Sequence, residues 1–467
     1  MTTRSDLVLG SKREVGTVGL VAGMAGFYAS ALLLCSDLLA VDAEHAGGSS
    51  SVGVLLGAVA SVFIAIAVYV AAVVIANGVD TVVAGRLRQI AVLRLLGADA
   101  GSLRRAVVRG ATIVAACGAV AGVLIGALVS DVTRAVLVAR GSLRTGDYTW
   151  FPVLALPSAV VITLAAASAA WVGSRVVLRA TPAQALLGAT VPAPDTQRMG
   201  RLRRLATVGL IGSGALVLAL AAALGESGTA VGFLVAVLGA MLSGTGILVG
   251  ARLVVPTVVA LASRLLGSDP ASRVAARNAV REPGRTTRST MGLVIGVTLV
   301  TTFAAGFAAM RASTYDWGQT AAQAAQTDEI LRNVSVVMVC VVVVSSAIAA
   351  VGFVSTMSLA VIQRTREIGL LRALGFTAGQ VRTMITKESV ALSATAIASG
   401  MVLGLLYGAL GAQSLIGFRN DGFVWGLPGW VLGGVAVAGV GLVLAASWVP
   451  SSRAVAVAPV DALRAEG

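Results

Sequence analysis

Residues that could carry out catalysis are few in this chain of 467 residues. There is one histidine, His45, along with three cysteines and two lysines, Lys12 and Lys387. A Ser-His-Asp triad or a zinc site needs histidine or cysteine side chains grouped together, and a phosphate-binding loop needs Gly-x-x-x-x-Gly-Lys-Ser/Thr. The sequence contains neither pattern. It therefore predicts no catalytic residues, no metal site and no ATP site of its own.

Charged and helix-capping residues instead form one motif that occurs twice. Residues 86–101 align with residues 364–379 at an offset of 278, with Arg, Ile, Leu, Gly and Ala in register. In each copy a basic, amphipathic stretch is followed by Gly97 or Gly375, where a C-cap glycine is expected, and then by the N-cap candidate Asp99 or Thr377. Thr377 with Gln380 predicts a capping box. The pattern predicts a helix that leaves the membrane, breaks at glycine and restarts as a short basic helix.

Such a break offers a contact for a cytoplasmic partner. The residues that we assign to this contact are Arg86, Arg94, Gly97, Asp99, Arg104, Arg105, Arg364, Glu367, Arg372, Gly375, Thr377, Gln380 and Arg382. An acidic groove on the partner would use the arginines for register and orientation.

The elements that must position this motif are membrane helices. The chain is 57% hydrophobic and only 12% charged, against about 25% charged in a soluble domain. Ten apolar stretches are long enough to cross a bilayer, which takes roughly 20 residues of helix. They lie near 17–39, 52–77, 109–130, 153–174, 205–224, 229–251, 289–310, 333–360, 389–410 and 429–449. We predict an all-α, polytopic membrane protein.

The distribution of basic residues predicts the orientation of these spans. With a cytoplasmic N-terminus, six of the 35 basic residues fall outside and the other 29 inside. The six are Arg134, Arg140, Arg144, Arg311, Arg332 and Arg419. This asymmetry follows the positive-inside rule and places both termini in the cytoplasm. It also accounts for the net charge of +14 without a nucleic-acid partner.

The repeated motif belongs to a longer internal repeat. Residues 19–23 match 292–296, and residues 122–126 match 400–404. We predict two parallel four-helix units, 1–190 and 271–467, joined by a cytoplasmic linker and two-helix connector at 191–270. Gly122, Gly126, Gly400 and Gly404 follow the small-xxx-small spacing of close helix packing. Asn77 and Asp80, with their repeat mates Ser355 and Ser358, suggest interhelical hydrogen bonds or the floor of a cavity. The alternative, which we favour, is that Asp80 already lies at the level of the head groups.

Each unit also contains a stretch without proline, at 52–96 and at 331–374. Each stretch predicts a single helix of roughly 65 Å, about twice the hydrocarbon thickness. The excess length would project into the cytoplasm and carry the repeated motif.

The second copy of the motif carries a family resemblance. Residues 355–375, Ser-Thr-Met-Ser-Leu-Ala-Val-Ile-Gln-Arg-Thr-Arg-Glu-Ile-Gly-Leu-Leu-Arg-Ala-Leu-Gly, closely resemble the signature of FtsX-like permeases. These are the membrane subunits of mechanotransmission-type ABC transporters. Residues 458–464 resemble that family's C-terminal signature, and Asn278 with three following arginines resembles the stretch before its first membrane helix. The first copy departs from the pattern, with Gln89 in place of Glu367.

The resemblance implies a non-catalytic permease in the bacterial cell membrane, driven by two ABC ATPase subunits at its cytoplasmic face. Those partners would bind ATP and magnesium, and the short helices after Gly97 and Gly375 would be the coupling helices. Many members carry a large extracytoplasmic domain between the first two spans of a unit, where this chain has only short loops. Two functions remain open: export or membrane extraction of an amphipathic or hydrophobic substrate, and ATP-driven signalling to an extracellular partner without transport.

Overall fold

The computed structural model describes residues 12–45, 51–139, 155–179, 200–229, 231–263, 283–315, 374–419 and 422–441, with four isolated positions at 346, 347, 350 and 370. Every regular element within these ranges is a helix. Helices are expected for so apolar a chain, because a helix satisfies its own backbone hydrogen bonds where no water is available.

Eight of the described helices are long and apolar enough to cross a membrane. Their spans are Gly16–Leu34, Ser61–Ala84, Ala100–Val136, Leu156–Gly173, Arg201–Glu226, Val231–Ala251, Thr290–Ser313 and Leu392–Arg419. The predicted span at 333–360 lies largely outside the described residues. The predicted span at 429–449 is described as far as Gly441, as the shorter apolar helix Gly429–Gly441. The chain is therefore an integral membrane protein.

The chain divides into two compact units, Met1–Pro192 and Ala193–Gly467. The helices of the first unit are α1 (Lys12–His45), α2 (Ser51–Gly85), α3 (Leu87–Leu95), α4 (Ala100–Ala139) and α5 (Ala155–Gly173), followed by a 3₁₀ helix at Ser174–Arg179. α1 packs along α4 and also contacts α2, while α5 lies against both α2 and α4. Five residues separate α1 from α2.

The prediction of one helix across 52–96 is wrong. α2 ends at Gly85 and α3 begins at Leu87, with Arg86 between them at φ −114° and ψ 14°. The Arg86 N–H donates to the Val83 carbonyl three residues back, so the helical ladder is interrupted for one residue. Glycine is a common cause of a sharp helix break, and Gly85 immediately precedes this one. The equivalent stretch of the second copy lies outside the described residues.

The short basic helices expected after Gly97 and Gly375 are not separate elements. α4 runs without a break from Ala100 to Ala139, and α9 runs from Ala378 to Ile416. The basic stretch is in each case the first turns of a helix that continues into a membrane span. No glycine or proline in a breaking conformation separates the two parts, so each helix is continuous.

Close packing of α1 on α4 depends on glycine. A Cβ on Gly122 would overlap the carbonyl oxygen of Gly23, and one on Gly118 would overlap that of Gly19. A Cβ on Gly126 would lie 2.6 Å from the Phe27 carbonyl oxygen. Small residues at this spacing let two helix backbones approach closely in lipid.

The second unit contains α6 (Arg201–Glu226), α7 (Val231–Ser263), α8 (Pro283–Tyr315), α9 (Ala378–Ile416) and α10 (Gly429–Gly441). α8 packs along α9 as α1 does along α4, and α9 also contacts α6 and α7. A Cβ on Gly400 would lie 2.8 Å from Val297 Cβ, and one on Gly404 would overlap Thr301 Cβ. The two glycine pairs predicted from the repeat therefore both occupy close helix contacts.

Polar side chains fasten α6 and α7 to α9. The hydroxyls of Ser243 on α7 and Tyr407 on α9 are 2.8 Å apart. Gln413 on α9 is buried; its Nε2 donates to Glu226 Oε1 at 3.0 Å, and its Oε1 accepts from the Val424 N–H at 2.7 Å. α6 and α7 correspond to the predicted two-helix connector. Each of them therefore makes a specific side-chain hydrogen bond to α9.

Candidate functional site

In the first copy of the motif, a single turn ends α3 with a C-cap and begins α4 with an N-cap. Gly97 has φ +93°, a conformation that glycine adopts at little cost. The Ala98 N–H donates to the Leu93 carbonyl at 3.0 Å, and the Gly97 N–H donates to the Arg94 carbonyl at 3.1 Å. These two bonds are the Schellman arrangement that ends a helix at a glycine. Asp99 then caps α4, since its Oδ2 accepts from the Ser102 N–H at 3.0 Å.

The second copy repeats this turn with different capping chemistry. Gly375 has φ +98°, and the predicted capping box is present. Thr377 Oγ1 accepts from the Gln380 N–H at 3.2 Å, and Gln380 Oε1 accepts from the Thr377 N–H at 2.9 Å. Arg364, Glu367 and Arg372 of the same copy lie outside the described residues.

Each turn exposes an apolar side chain that the sequence analysis did not assign to partner contact. Leu96 is 79% exposed and Leu374 is 72% exposed, and they occupy the same position in the repeat. Val92 and Leu370, one turn earlier, are also exposed in register. Ile90 and Ala91, in contrast, are fully buried. One face of α3 therefore packs against the first unit, and the opposite face is exposed. The signal in the sequence was the repetition of these leucines beside the glycine.

Arg104 was assigned to partner contact, but the structure engages it within the first unit. Its guanidinium lies 3.7 Å from the centre of the Trp171 ring, and its Nη2 donates to the Trp171 carbonyl at 2.6 Å. Its Nε lies 3.4 Å from the buried Ser174 Oγ. A cation at the C-terminal turn of α5 also complements the helix dipole. Arg104 therefore fastens the beginning of α4 to the end of α5.

The other assigned arginines differ in exposure. Arg105 and Arg382 are exposed at the first turns of α4 and α9. Arg86 is half-buried, and its Nη1 donates to Gln89 Oε1 at 3.3 Å, so Gln89 is a hydrogen-bond partner of Arg86 in the first copy. Arg94 is half-buried in the last turn of α3.

Asn77 and Asp80 occupy adjacent positions on α2, beside the end of α5. A Cβ on Gly173 of α5 would overlap the Ala76 carbonyl and lie 3.1 Å from Val79 Cβ, so the two helices are in close contact at this level. The Asn77 carbonyl accepts a hydrogen bond from Thr81 Oγ1 at 2.7 Å. Ser355 and Ser358 lie outside the described residues, so the idea of a shared cavity stays a prediction.

Known proteins resemble parts of the chain. It is 32% identical over 125 residues to the uncharacterized ABC transporter permease YknZ of Bacillus subtilis (strain 168), which is 26% of this chain and 30% of that protein. It is 30% identical over 146 residues to the macrolide export ATP-binding/permease protein MacB of Escherichia coli (strain K12), which is 30% of this chain and 21% of that protein. The chain thus covers less than a third of each relative's own length.

A family model spans much more of the chain. The model for the FtsX-like permease C-terminal region matches twice, at residues 61–182 and 339–459, which together exceed half of the sequence. The first match includes the Gly97 turn, Arg104 and Trp171, and the second includes the Gly375 turn and α9. The chain therefore belongs to the FtsX-like permease family, whose members are the membrane subunits of ABC transporters.

Proposed function

We propose that this chain is the permease subunit of an ABC transporter in which two separate ATPase subunits dock on the turns at Gly97 and Gly375. ATP hydrolysis by those subunits would drive export or membrane extraction of an amphipathic or hydrophobic substrate. The ATPases would hold ATP and magnesium, and this chain would convert their movement into a rearrangement of its spans.

The observation that supports this proposal best is the exposed leucine at each turn. Leu96 and Leu374 precede a positive-φ glycine and stand beside a capped helix start, in the same register in both units. An apolar side chain exposed beside arginines is typical of an anchor that fills a pocket on a partner, with charges at the rim that set orientation. Arg105 and Arg382 are exposed, as charged residues at the rim of such a partner contact would be.

The continuity of α4 and α9 gives this contact a mechanical consequence. A partner that moves the first turn of α4 moves a rod of 40 residues, and α9 is a rod of 39 residues. At 1.5 Å per residue each rod is about 60 Å long, twice the hydrocarbon thickness. Because Arg104 ties the start of α4 to α5, a push at the Gly97 turn would reach two spans of the first unit together.

We place this machinery in ten spans, arranged as two parallel four-helix repeats and a connector, with both termini in the cytoplasm. The positive-inside distribution of the basic residues supports this orientation. It puts both glycine turns on the cytoplasmic side, where ATPase subunits act.

Replacing the exposed leucines tests the docking claim. In Leu96→Asp, Leu374→Asp and the double variant, a charge would enter an apolar partner pocket without compensation, which is strongly unfavourable. We expect each single variant to lower copurification of the ATPase with the full chain, and the double variant to abolish it together with transport-coupled ATP hydrolysis. The matched control is Leu202→Asp, because Leu202 is 82% exposed in the first turn of α6 and does not belong to the repeated motif.

Full ATPase copurification and activity in the double variant would show that the turns are not the docking sites. The signalling alternative predicts the same loss of copurification. It differs in that vesicles with the wild-type complex would hydrolyse ATP and release no amphipathic substrate.

A further inference from the structure

The span of α4 contains two charged residues at the end far from the Asp99 turn. Asp131 and Arg134 lie within the apolar span Ala100–Val136, and Arg134 Nη2 is 3.2 Å from Asp131 Oδ1. The Arg134 side chain is 13% exposed and that of Asp131 is 27% exposed. The orientation predicted from the basic residues puts Arg134 on the outer side, so the pair would stand at the level of the outer head groups.

Asp131 lies at the boundary between the buried face and the exposed face of α4. The buried seam of α4 runs through Ala119, Val123 and Ala127, and Asp131 and Arg134 continue it four and seven residues beyond Ala127. Leu124 and Leu128 are 55% and 65% exposed, and Asp131 stands at i+7 and i+3 from them. Asp131 therefore adjoins both the buried seam of α4 and a stripe of exposed apolar side chains.

A third polar group in the same region has no partner. Ser30 of α1 is fully buried, and its Oγ makes no hydrogen bond within the described part of the chain. It lies against Gly126, whose Cβ would be 3.0 Å from Ser30 Cβ, just over one turn before Asp131. Asp131 Oδ1 is also buried, and beyond its ionic contact with Arg134 it accepts no hydrogen bond from the described residues. Buried acceptors left open in this way can receive the donors of a ligand.

The second unit replaces this whole polar set with apolar residues. The repeat mates of Ser30, Asp131 and Arg134 are Phe303, Ala409 and Ala412, all buried. Ala412 packs with Ala309, Ile416 and Val424 in an apolar cluster. Leu124 and Leu128 correspond to Val402 and Leu406, which stay apolar and exposed. The helix packing therefore does not require the charges, and the first unit alone carries them.

We propose that Asp131, Arg134 and Ser30 bind the head group of a zwitterionic, phospholipid-like amphipath whose chain lies along Leu124 and Leu128. The Asp131 carboxylate, whose side chain is 27% exposed, would accept from an ammonium group, and Arg134 would donate to a phosphate. Asp131 and Arg134 together are neutral, as a zwitterion is, so the charges of the pair and of the head group are complementary. This inference rests on the proposed function, because it names the substrate class of the same permease.

Binding of tail-labelled lysophosphatidylethanolamine to the purified full chain in detergent tests the site. We expect the wild type to bind it about tenfold or more tightly than tail-labelled lysophosphatidylglycerol or monoacylglycerol, because charge-assisted hydrogen bonds contribute on that scale. Asp131→Asn should lose the preference over lysophosphatidylglycerol, which lacks the ammonium group, and Arg134→Gln should lose the preference over monoacylglycerol, which lacks the phosphate. Arg419→Gln, which removes an exposed arginine in the 3₁₀ helix Gly417–Arg419 that follows α9, should retain it. Free glycerophosphoethanolamine should compete poorly, since it has no chain.

Equal binding of the three lipids by the wild type would overturn the inference, whether or not the variants fold. Folded variants that keep the preference would overturn it as well, and so would competition by glycerophosphoethanolamine as strong as that of the lipid. None of these measurements needs an ATPase, so the site can fail while ATPase docking holds, or hold while docking fails.

Discussion

Arg104 holds the beginning of α4 against the end of α5 through the ring and the carbonyl of Trp171. Arg104→Gln removes a cation–π contact and a charge-assisted hydrogen bond, so we expect a loss of about 1–3 kcal/mol of stability. Trp171→Phe keeps a ring and should cost less. Arg105→Gln is the control, because Arg105 is exposed on the same turn. Thermal unfolding in detergent measures all three, and equal midpoints for Arg104→Gln and Arg105→Gln would contradict the assignment.

Residue identities could be predicted where the backbone demands them. Gly97, Gly375, Asp99 and the Thr377–Gln380 box were all identified from spacing, because few residue types adopt positive φ or cap a helix. The partner of Arg104 was not found, since Trp171 is 67 residues away in sequence and a pairing across helices leaves no local pattern. Repetition of Arg104 at Arg382 and of Trp171 at Trp448 was the available signal.

At the scale of elements, the contact of α1 with α4 leaves no room for a methyl group at Gly122. Gly122→Ala would overlap the Gly23 carbonyl and force the two helices apart, so we expect a loss of stability. Gly209→Ala is the matched control, because that glycine lies inside α6 and its added Cβ would stand in open space. There, higher helix propensity should stabilise the protein by about 0.5–1 kcal/mol. We therefore expect the thermal unfolding midpoint to fall in Gly122→Ala and to rise in Gly209→Ala. A higher midpoint for Gly122→Ala would contradict the close packing of α1 on α4.

Element types followed from hydropathy, whereas element boundaries did not. The break at Arg86 was missed because Gly85 lies within a proline-free run of apolar residues, where glycine is common in membrane helices. The expected short helices merged into α4 and α9 because their basic turns continue in register with apolar residues. No local signal separates an interfacial helix from the first turns of a span.

At the scale of the whole molecule, the charge asymmetry predicts which segments face outward. Single cysteines at Ser50, Asp147, Asp316 and Asp421 should react with an impermeant thiol reagent in intact cells, because the predicted topology puts them outside. Cysteines at Ser102, Gln197 and Gln380 should react only after the membrane is opened. Labelling of Gln380→Cys in intact cells would show that the orientation is the reverse of the predicted one. The Gly375 turn would then lie outside the cell, where an ABC ATPase could not contact it.

The central claim is that ATPase subunits contact both glycine turns, and a photocrosslinking measurement tests it most directly. A photoreactive amino acid would replace Leu96, Leu374 or Leu202 in the full chain, and cells would be irradiated before extraction. Because Leu96 and Leu374 are exposed beside the two turns, both sites should form a crosslink to an ABC ATPase, and Leu202 should form none. Absence of the crosslink at both turns, or an equal crosslink at Leu202, would contradict the account.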